Sequence, residues 1–300
     1  MAYDHEYDEE EDWEEEWEEE DEWEDDEESL DWSEAWDEDG DGEVSAAEFS
    51  RTVSFGILAM MPLFLGYEWA LSSGAAGPSP TRSIAEAILS TPLRPLGASN
   101  ASIARMIMLG LIALYGLVGS FRSGTPLVPR LVRVLGEAAL AALLLGPVLA
   151  LTARAAEPFV GAMMIGEAAG VPELRRAAFV MGGAAYEEIL FRVLAVALVF
   201  LLVKRGSEWM GFGRRLSSLT GALGATAVSA MLFAFFHTEM ATRWMGGSGE
   251  PFDAALFTWR AASGVLLTAI VFWRGVGVAA WAHAFFNLVL LLGVRPPALF

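Results

Sequence analysis

After residue 50 the chain alternates between long apolar runs and short polar loops. A helical run of roughly 20 apolar residues matches the hydrocarbon thickness of a bilayer. The runs that reach or approach this length are 53–71, 103–121, 135–153, 177–203, 219–237, 254–273 and 276–292. A shorter apolar stretch, residues 159–169, is predicted to be interfacial or re-entrant. The pattern therefore predicts the all-α class, as a polytopic membrane helix bundle of about seven spans.

The composition of these runs indicates how they pack. Glycine and alanine are frequent in them, which allows neighbouring helices to approach closely. Pro62 lies inside the first run, where a neighbouring helix can satisfy a carbonyl that loses its partner. With 54% hydrophobic residues, the chain is too apolar for an ordinary soluble domain. We therefore expect the lipid bilayer to be its surroundings.

Charge divides the chain into two parts. Residues 1–50 contain 28 Asp or Glu residues and no Lys or Arg, whereas residues 51–300 contain 12 acidic and 19 basic residues. The formal net charge of −21 therefore combines a strongly acidic tail with a mildly basic membrane body. We expect residues 1–36 to be a low-complexity, largely disordered tail. The tail is either solvated or a ligand for a basic partner, including this protein's own body. No nucleic-acid partner is expected.

Two further features limit the alternatives. The chain has no cysteine, which excludes disulfides, thiolate metal ligands and a cysteine nucleophile. Its N-terminus is acidic, so a cleaved signal peptide is not expected. The first apolar run is predicted to act as an uncleaved insertion signal instead.

Residues 37–50 carry a calcium-binding pattern. The twelve residues from Asp37 to Glu48 match the EF-hand loop, which has oxygen ligands at set positions and a glycine at its sharp turn. The ligand positions hold Asp37, Asp39, Asp41, Glu43, Ser45 and Glu48, and Gly42 holds the turn. The apolar Trp36 and Phe49 flank the loop, as the helices of an EF-hand require. The sequence therefore predicts one calcium site, although EF-hands normally pair; chance similarity in an acid-rich segment is the alternative.

Three of the apolar runs contain polar side chains that are expensive to place in hydrocarbon. They are Glu187, Glu188 and Arg192 in the fourth run, His237 at the end of the fifth, and His283 and Asn287 in the seventh. On a helix Glu188 and Arg192 are one turn apart and can pair, while Glu187 points about 100° away. His283 and Asn287 likewise share one helix face. We therefore expect these groups to meet inside the bundle.

Such a cluster supports two kinds of chemistry. A carboxylate base, two imidazoles and an amide can activate a water and stabilise the oxyanion of amide hydrolysis. His237, His283 and one glutamate can instead bind a zinc ion and leave a coordination position open. Taken singly, each residue is also explained by packing, as a hydrogen-bonded histidine, a Glu–Arg pair or an asparagine that links two helices. The set favours a functional site over packing, because its polar residues lie on three separate helices in apolar surroundings. The residues alone do not choose between water activation and zinc binding.

Three motifs, taken in their order along the chain, resemble those of the CPBP family of intramembrane proteases. They are Glu187-Glu188-x-x-x-Arg192, Phe233-x-x-x-His237 and His283-x-x-x-Asn287. This family includes type II CAAX prenyl endopeptidases and bacterial relatives linked to bacteriocin processing and immunity. The resemblance covers residues 175–293 and implies that residues 51–300 form a CPBP-like protease domain. Val193 departs from the pattern, since many members have glycine there.

The resemblance also implies a role for each residue of the cluster. Glu187 would activate the water with help from Glu188, Arg192 would hold the acidic pair, His237 would assist the water, and His283 with Asn287 would support the oxyanion. A zinc ion stays an open alternative, because the family is described both as metal-dependent and as glutamate-dependent. The implied location is a bacterial inner membrane, and the implied substrates are membrane-associated peptides or proteins.

We therefore predict an intramembrane endopeptidase that uses a glutamate-activated water. One alternative is a non-catalytic membrane scaffold or bacteriocin-immunity-like protein that keeps the polar core for packing. Another is a calcium-responsive membrane sensor whose body only anchors the EF-hand. The resemblance implies nothing about the acidic tail.

Overall fold

The computed structural model describes residues 46–72, 83–122, 126–156, 173–244 and 251–291. Every regular element in these ranges is helical. The elements are α1 (Ala46–Ser72), α2 (Ile84–Leu89), a 3₁₀ helix (Thr91–Leu96), α3 (Ala98–Arg122), α4 (Leu127–Ala156), α5 (Glu173–Glu188), a π segment (Ile189–Ala195), α6 (Val196–Trp209), α7 (Arg214–Phe235), α8 (Glu239–Trp244), α9 (Ala254–Arg274) and α10 (Val276–Leu291). The predicted all-α class is confirmed.

The helices lie where the hydrophobic pattern placed the spans. Five of those in the described ranges are long and apolar enough to cross a bilayer: Val53–Ser72, Asn100–Arg122, Leu127–Leu149, Arg214–Phe235 and Ala254–Arg274. The seventh predicted run forms α10, which is apolar but has only 16 residues. The fourth forms α5, the π segment and α6, which follow one another without a break. The protein is therefore a multi-pass integral membrane protein.

Several predicted features lie outside the described residues. These are the acidic tail, the first nine positions of the calcium loop and the stretch 159–169. The last three loop positions, Ala46 to Glu48, belong to α1. Disorder of the tail and the re-entrant stretch stay predictions.

α1 lies at the centre of the N-terminal half and packs against α3, α5 and α10. Small residues make these contacts close. A Cβ atom added at Gly182 of α5 would lie 2.4 Å from Cβ of Tyr67, and one added at Gly277 of α10 would lie 3.1 Å from Cα of Gly56. The first distance is too short for a side chain and the second is tighter than an ordinary contact, so glycine lets α1 approach both helices closely.

Pro62 interrupts the hydrogen bonding inside α1. Proline has no N–H, so the carbonyl of Leu58, four residues earlier, loses its regular donor. The indole Nε1 of Trp281, on α10, donates to the next carbonyl along α1, that of Ala59, at 2.7 Å. A neighbouring helix thus donates beside the freed carbonyl and ties α10 to α1, while a partner for the Leu58 carbonyl itself stays a prediction.

The remaining helices surround this centre. α7 packs between α6 and α9, and Gly264 of α9 lies so close to Ala230 that an added Cβ would be 2.8 Å from its Cα. On α3 and α4, large apolar side chains point outward: Leu111 is 63% exposed and Leu143 is 69% exposed. An apolar outer surface around a partly polar interior is what a lipid environment favours.

Candidate active site

Glu188 and Arg192 form the buried ion pair that their spacing predicted. Nε of Arg192 lies 3.3 Å from Oε2 of Glu188, and both side chains are fully buried. The guanidinium also lies over the ring of Phe233, 4.4 Å from its centroid. A fully buried arginine is stabilised by such a paired carboxylate and aromatic face, because it has no water to solvate it.

The helix between these residues is not a regular α-helix. The π segment begins directly after Glu188, and the carbonyl of Phe191 accepts hydrogen bonds from the N–H of Val196 and from Oγ of Ser229, the latter at 2.7 Å. Short π segments inside α-helices are frequent at functional sites. The sequence did not predict this segment or the role of Ser229. The only signal is a serine within the apolar stretch 227–236.

His283 of α10 is held by Glu188. Nδ1 of His283 lies 2.8 Å from Oε1 of Glu188. With the carboxylate ionised beside Arg192, the hydrogen of this bond belongs to Nδ1, which donates it. The other ring nitrogen, Nε2, lies 3.7 Å from Oε2 of Glu187.

His237 is held by a backbone carbonyl. It follows the end of α7, and its Nδ1 lies 2.7 Å from the carbonyl oxygen of Phe233. A carbonyl only accepts, so Nδ1 carries the hydrogen and a neutral His237 has its lone pair on Nε2. That Nε2 lies 3.9 Å from Oε1 of Glu187. Both imidazoles also pack edge-on against the ring of Phe233.

The two carboxylate oxygens of Glu187 therefore each face one imidazole. The side chain of Glu187 is 18% exposed and that of His237 is 27% exposed, whereas that of Glu188 is fully buried. One glutamate is thus fixed by Arg192 and His283, and the other is left in a partly open position. This is the division between a held and a free carboxylate that the motif predicted.

Of the six residues predicted to form the catalytic cluster, Asn287 is the one that the contacts do not join to the rest. It lies one turn after His283 on α10 and is half-buried. Within the described ranges, no hydrogen bond links it to the other five residues. Its role stays a prediction.

The distances around Glu187 bear on the zinc alternative, which stays a prediction. Zinc with bonds of about 2.0–2.1 Å holds tetrahedral ligand atoms roughly 3.4 Å apart, and the 3.7 and 3.9 Å gaps around Glu187 are longer. In the part of the chain that the structure describes, no group of three or more His, Asp or Glu side chains has a metal-binding arrangement. The predicted calcium ligands are not covered by this statement, because the side chains of the loop are not described.

Comparison with known proteins gives a family match. Residues 173–289 match the family model described as Type II CAAX prenyl endopeptidase Rce1-like. No curated protein and no solved structure matches the chain. The matched segment runs from the start of α5 almost to the end of α10 and contains all six residues of the predicted cluster. Through this segment, the chain is similar to the Rce1-like type II CAAX prenyl endopeptidases, within the protease family that its motifs resemble.

Proposed function

We propose that the protein is an intramembrane endopeptidase that hydrolyses peptide bonds of membrane-associated substrates with a water activated by Glu187. The observation that carries this proposal is the position of the Glu187 carboxylate, whose oxygens lie 3.9 and 3.7 Å from Nε2 of His237 and His283. Each gap is too long for a direct hydrogen bond and short enough for one water to contact both atoms. The family match of this segment supports the same class of reaction.

In the proposed reaction, Glu187 accepts a proton from the water while the water oxygen bonds to the carbonyl carbon of the substrate. His237 orients the water, because its Nδ1 hydrogen is engaged by the Phe233 carbonyl and its Nε2 is left as an acceptor. Glu187 then delivers the proton to the leaving nitrogen. The C–N bond breaks, and the products are a carboxylic acid and an amine.

The proposed task of His283 is to support the oxyanion. Glu188 holds its ring through Nδ1, which leaves Nε2 on the side of Glu187 and the reacting water. A hydrogen on Nε2 would be donated to the oxyanion of the tetrahedral intermediate. We assign the same task to Asn287, as a second donor.

The test is cleavage of prenylated and unprenylated model peptides by the purified protein in liposomes, beside the variants Glu187→Ala and His237→Ala. We expect the parent to cleave and both variants to lose activity while they unfold at the parent's temperature. Equal rates in parent and variants would contradict the proposal. An inactive parent, together with unfolding of Glu187→Ala, would favour the scaffold alternative.

We also propose that the loop Asp37 to Glu48 binds calcium. The start of α1 at Ala46 supports this proposal, because an EF-hand loop runs directly into its second helix. Calorimetry on the full chain should show binding of calcium, and the variants Asp37→Asn and Glu48→Gln should weaken it. No heat at millimolar calcium would remove both this site and the calcium-sensor alternative.

A further proposal is that the acidic tail binds the basic end of this protein's own bundle. α1 and α5 run antiparallel, since Gly66 lies against Ala178 and Gly182 against Leu63. The α6–α7 turn therefore lies at the end of the bundle where α1 begins. The helix ends on either side of this turn carry Lys204 and the exposed Arg205 on α6, and the exposed Arg214 and Arg215 on α7.

Lys204 makes this contact testable, because it is the only lysine of the chain. A zero-length carbodiimide reagent should join Lys204 to carboxylates of residues 1–36, as mapped by peptide mass spectrometry. The variant Lys204→Arg keeps the charge and should abolish the cross-link. If the parent forms no cross-link between these segments at low salt, the tail does not bind there.

A further inference from the structure

A second buried charged cluster lies beside the candidate active site. The hydroxyl of Tyr186 donates to Oε1 of Glu68 at 3.1 Å, and Nε of Arg105 lies 3.5 Å from the same oxygen. NH1 of Arg105 donates to Oε1 of Glu86 at 3.0 Å, and Oγ of Ser90 donates to it at 2.7 Å. Glu86 is fully buried and Arg105 is 4% exposed. The hydrolysis proposed above uses none of these groups.

The cluster joins the N-terminal helices to the residue that precedes Glu187. Glu68 lies on α1, Glu86 on α2 and Arg105 on α3, all outside the segment 173–289 that matches the family. Only Tyr186 belongs to that segment. The N-terminal helices therefore contact the candidate active site through Tyr186.

Packing also fixes the Tyr186 side chain on the side of α5 that faces α1. Its ring packs edge-on against Phe64 and Tyr67 of α1, at centroid distances of 4.8 and 5.0 Å. Successive residues of a helix point about 100° apart. The rotation of α5 that keeps Tyr186 on α1 therefore also sets the direction of Glu187, its neighbour in the chain.

α1 aligns the partner helix as well. Trp281 lies two residues before His283 on α10. Its hydrogen bond of 2.7 Å to the carbonyl of Ala59 ties α10 to α1. A shift of either helix along α1 would change the distance between Glu187 and the imidazole of His283. α1 thus acts as a common support for the two helices that carry these groups.

We propose that Tyr186 and Glu68 are positioning residues, which hold Glu187 at the distance from His237 and His283 that water activation needs. This inference rests on the proposed hydrolysis. The hydrogen bond between them lies in a buried network of charges, where a lost partner is costly and the geometry is correspondingly well defined. Small displacements of a catalytic group lower the rate strongly, by about 100-fold for 1 Å.

The experiment measures kcat and KM of the full chain with the variants Tyr186→Phe and Ser207→Ala. The first removes the hydroxyl that binds Glu68. The second removes another buried hydroxyl, which on α6 lies 3.0 Å from the hydroxyl of Thr220. We expect Tyr186→Phe to lower kcat by about 10- to 100-fold with KM nearly unchanged, and Ser207→Ala to keep the parental kcat.

Rescue at Glu68 separates positioning from folding. Glu68→Gln keeps an acceptor for the Tyr186 hydroxyl and should retain more of kcat than Glu68→Ala at equal unfolding temperature. If Glu187→Ala is inactive and Tyr186→Phe turns over like the parent, the positioning inference is wrong and the proposed function stands. Full activity of Glu187→Ala would overturn both.

Discussion

Glu188 accepts a 2.8 Å hydrogen bond from Nδ1 of His283, so that one carboxylate joins the end of α5 to the middle of α10. Its other oxygen pairs with Arg192. Glu188 is therefore the link between the two helices, and Glu187 is left to face the two imidazoles. This arrangement assigns stability chiefly to Glu188 and chemistry chiefly to Glu187.

The variant Glu188→Gln tests the structural part of that assignment. It leaves Arg192 buried without its counter-charge, which typically costs about 3–5 kcal/mol of stability. We expect a clearly lower unfolding temperature in detergent. Glu208→Gln is the control, because its partner Arg205 is 82% exposed and the loss of a pair with a solvated arginine should change stability by no more than about 0.5 kcal/mol. Equal unfolding temperatures of the two variants would show that the pair does not stabilise the fold.

Ser229→Ala tests the support of the π segment. Without Oγ, the Phe191 carbonyl loses its hydrogen bond from α7, at a cost of about 1–3 kcal/mol for a buried group. Since the π segment sets the position of Arg192, we expect lower activity as well as lower stability. Thr226→Ala is the matched control, because its hydroxyl bonds to Ala222 within its own helix. The measurements are the unfolding temperature and the turnover of both variants. Parental values of both for Ser229→Ala would show that Ser229 does not support the π segment.

Gly182→Ala tests the contact of α5 with α1. The added Cβ would lie 2.4 Å from Cβ of Tyr67 and 2.6 Å from the carbonyl oxygen of Leu63, so the helices must separate. We expect loss of stability and of activity, because Glu187 moves with α5. Gly136→Ala on α4 meets nothing within 4 Å and should be neutral or stabilising by up to about 1 kcal/mol. Equal unfolding temperatures of Gly182→Ala and Gly136→Ala would contradict the packing described.

Removal of metal tests the choice between the two mechanisms. The gaps around Glu187 favour a water over a bound zinc ion. We therefore expect peptide cleavage to survive dialysis against a strong chelator. Activity that disappears with the chelator and returns with zinc would show that His237, His283 and Glu187 close around the ion during catalysis.

The sequence predicts the helical membrane fold well, because a bilayer demands long apolar helices that the hydropathy pattern shows directly. It also predicts that Glu187, Glu188, Arg192, His237 and His283 meet, since burying them apart would be costly. What it does not predict depends on the relative rotation of the helices.

Two features of the site illustrate this limit. The π segment arises from how α5 and α6 meet α7, and Ser229 is recognisable only once Phe191 is opposite it. The bond from Tyr186 to Glu68 joins residues 118 positions apart in the chain. Neither contact follows from the spacing of residues along one helix or from a sequence motif.

The most direct test of the account is the rate of peptide cleavage by Glu187→Gln. Glutamine keeps the size and the hydrogen-bonding shape of the side chain but does not accept a proton from water at neutral pH. We predict a loss of turnover of about 100-fold or more, with the unfolding temperature of the parent. Cleavage by this folded variant within a few-fold of the parental rate would contradict the assignment of Glu187 as the base.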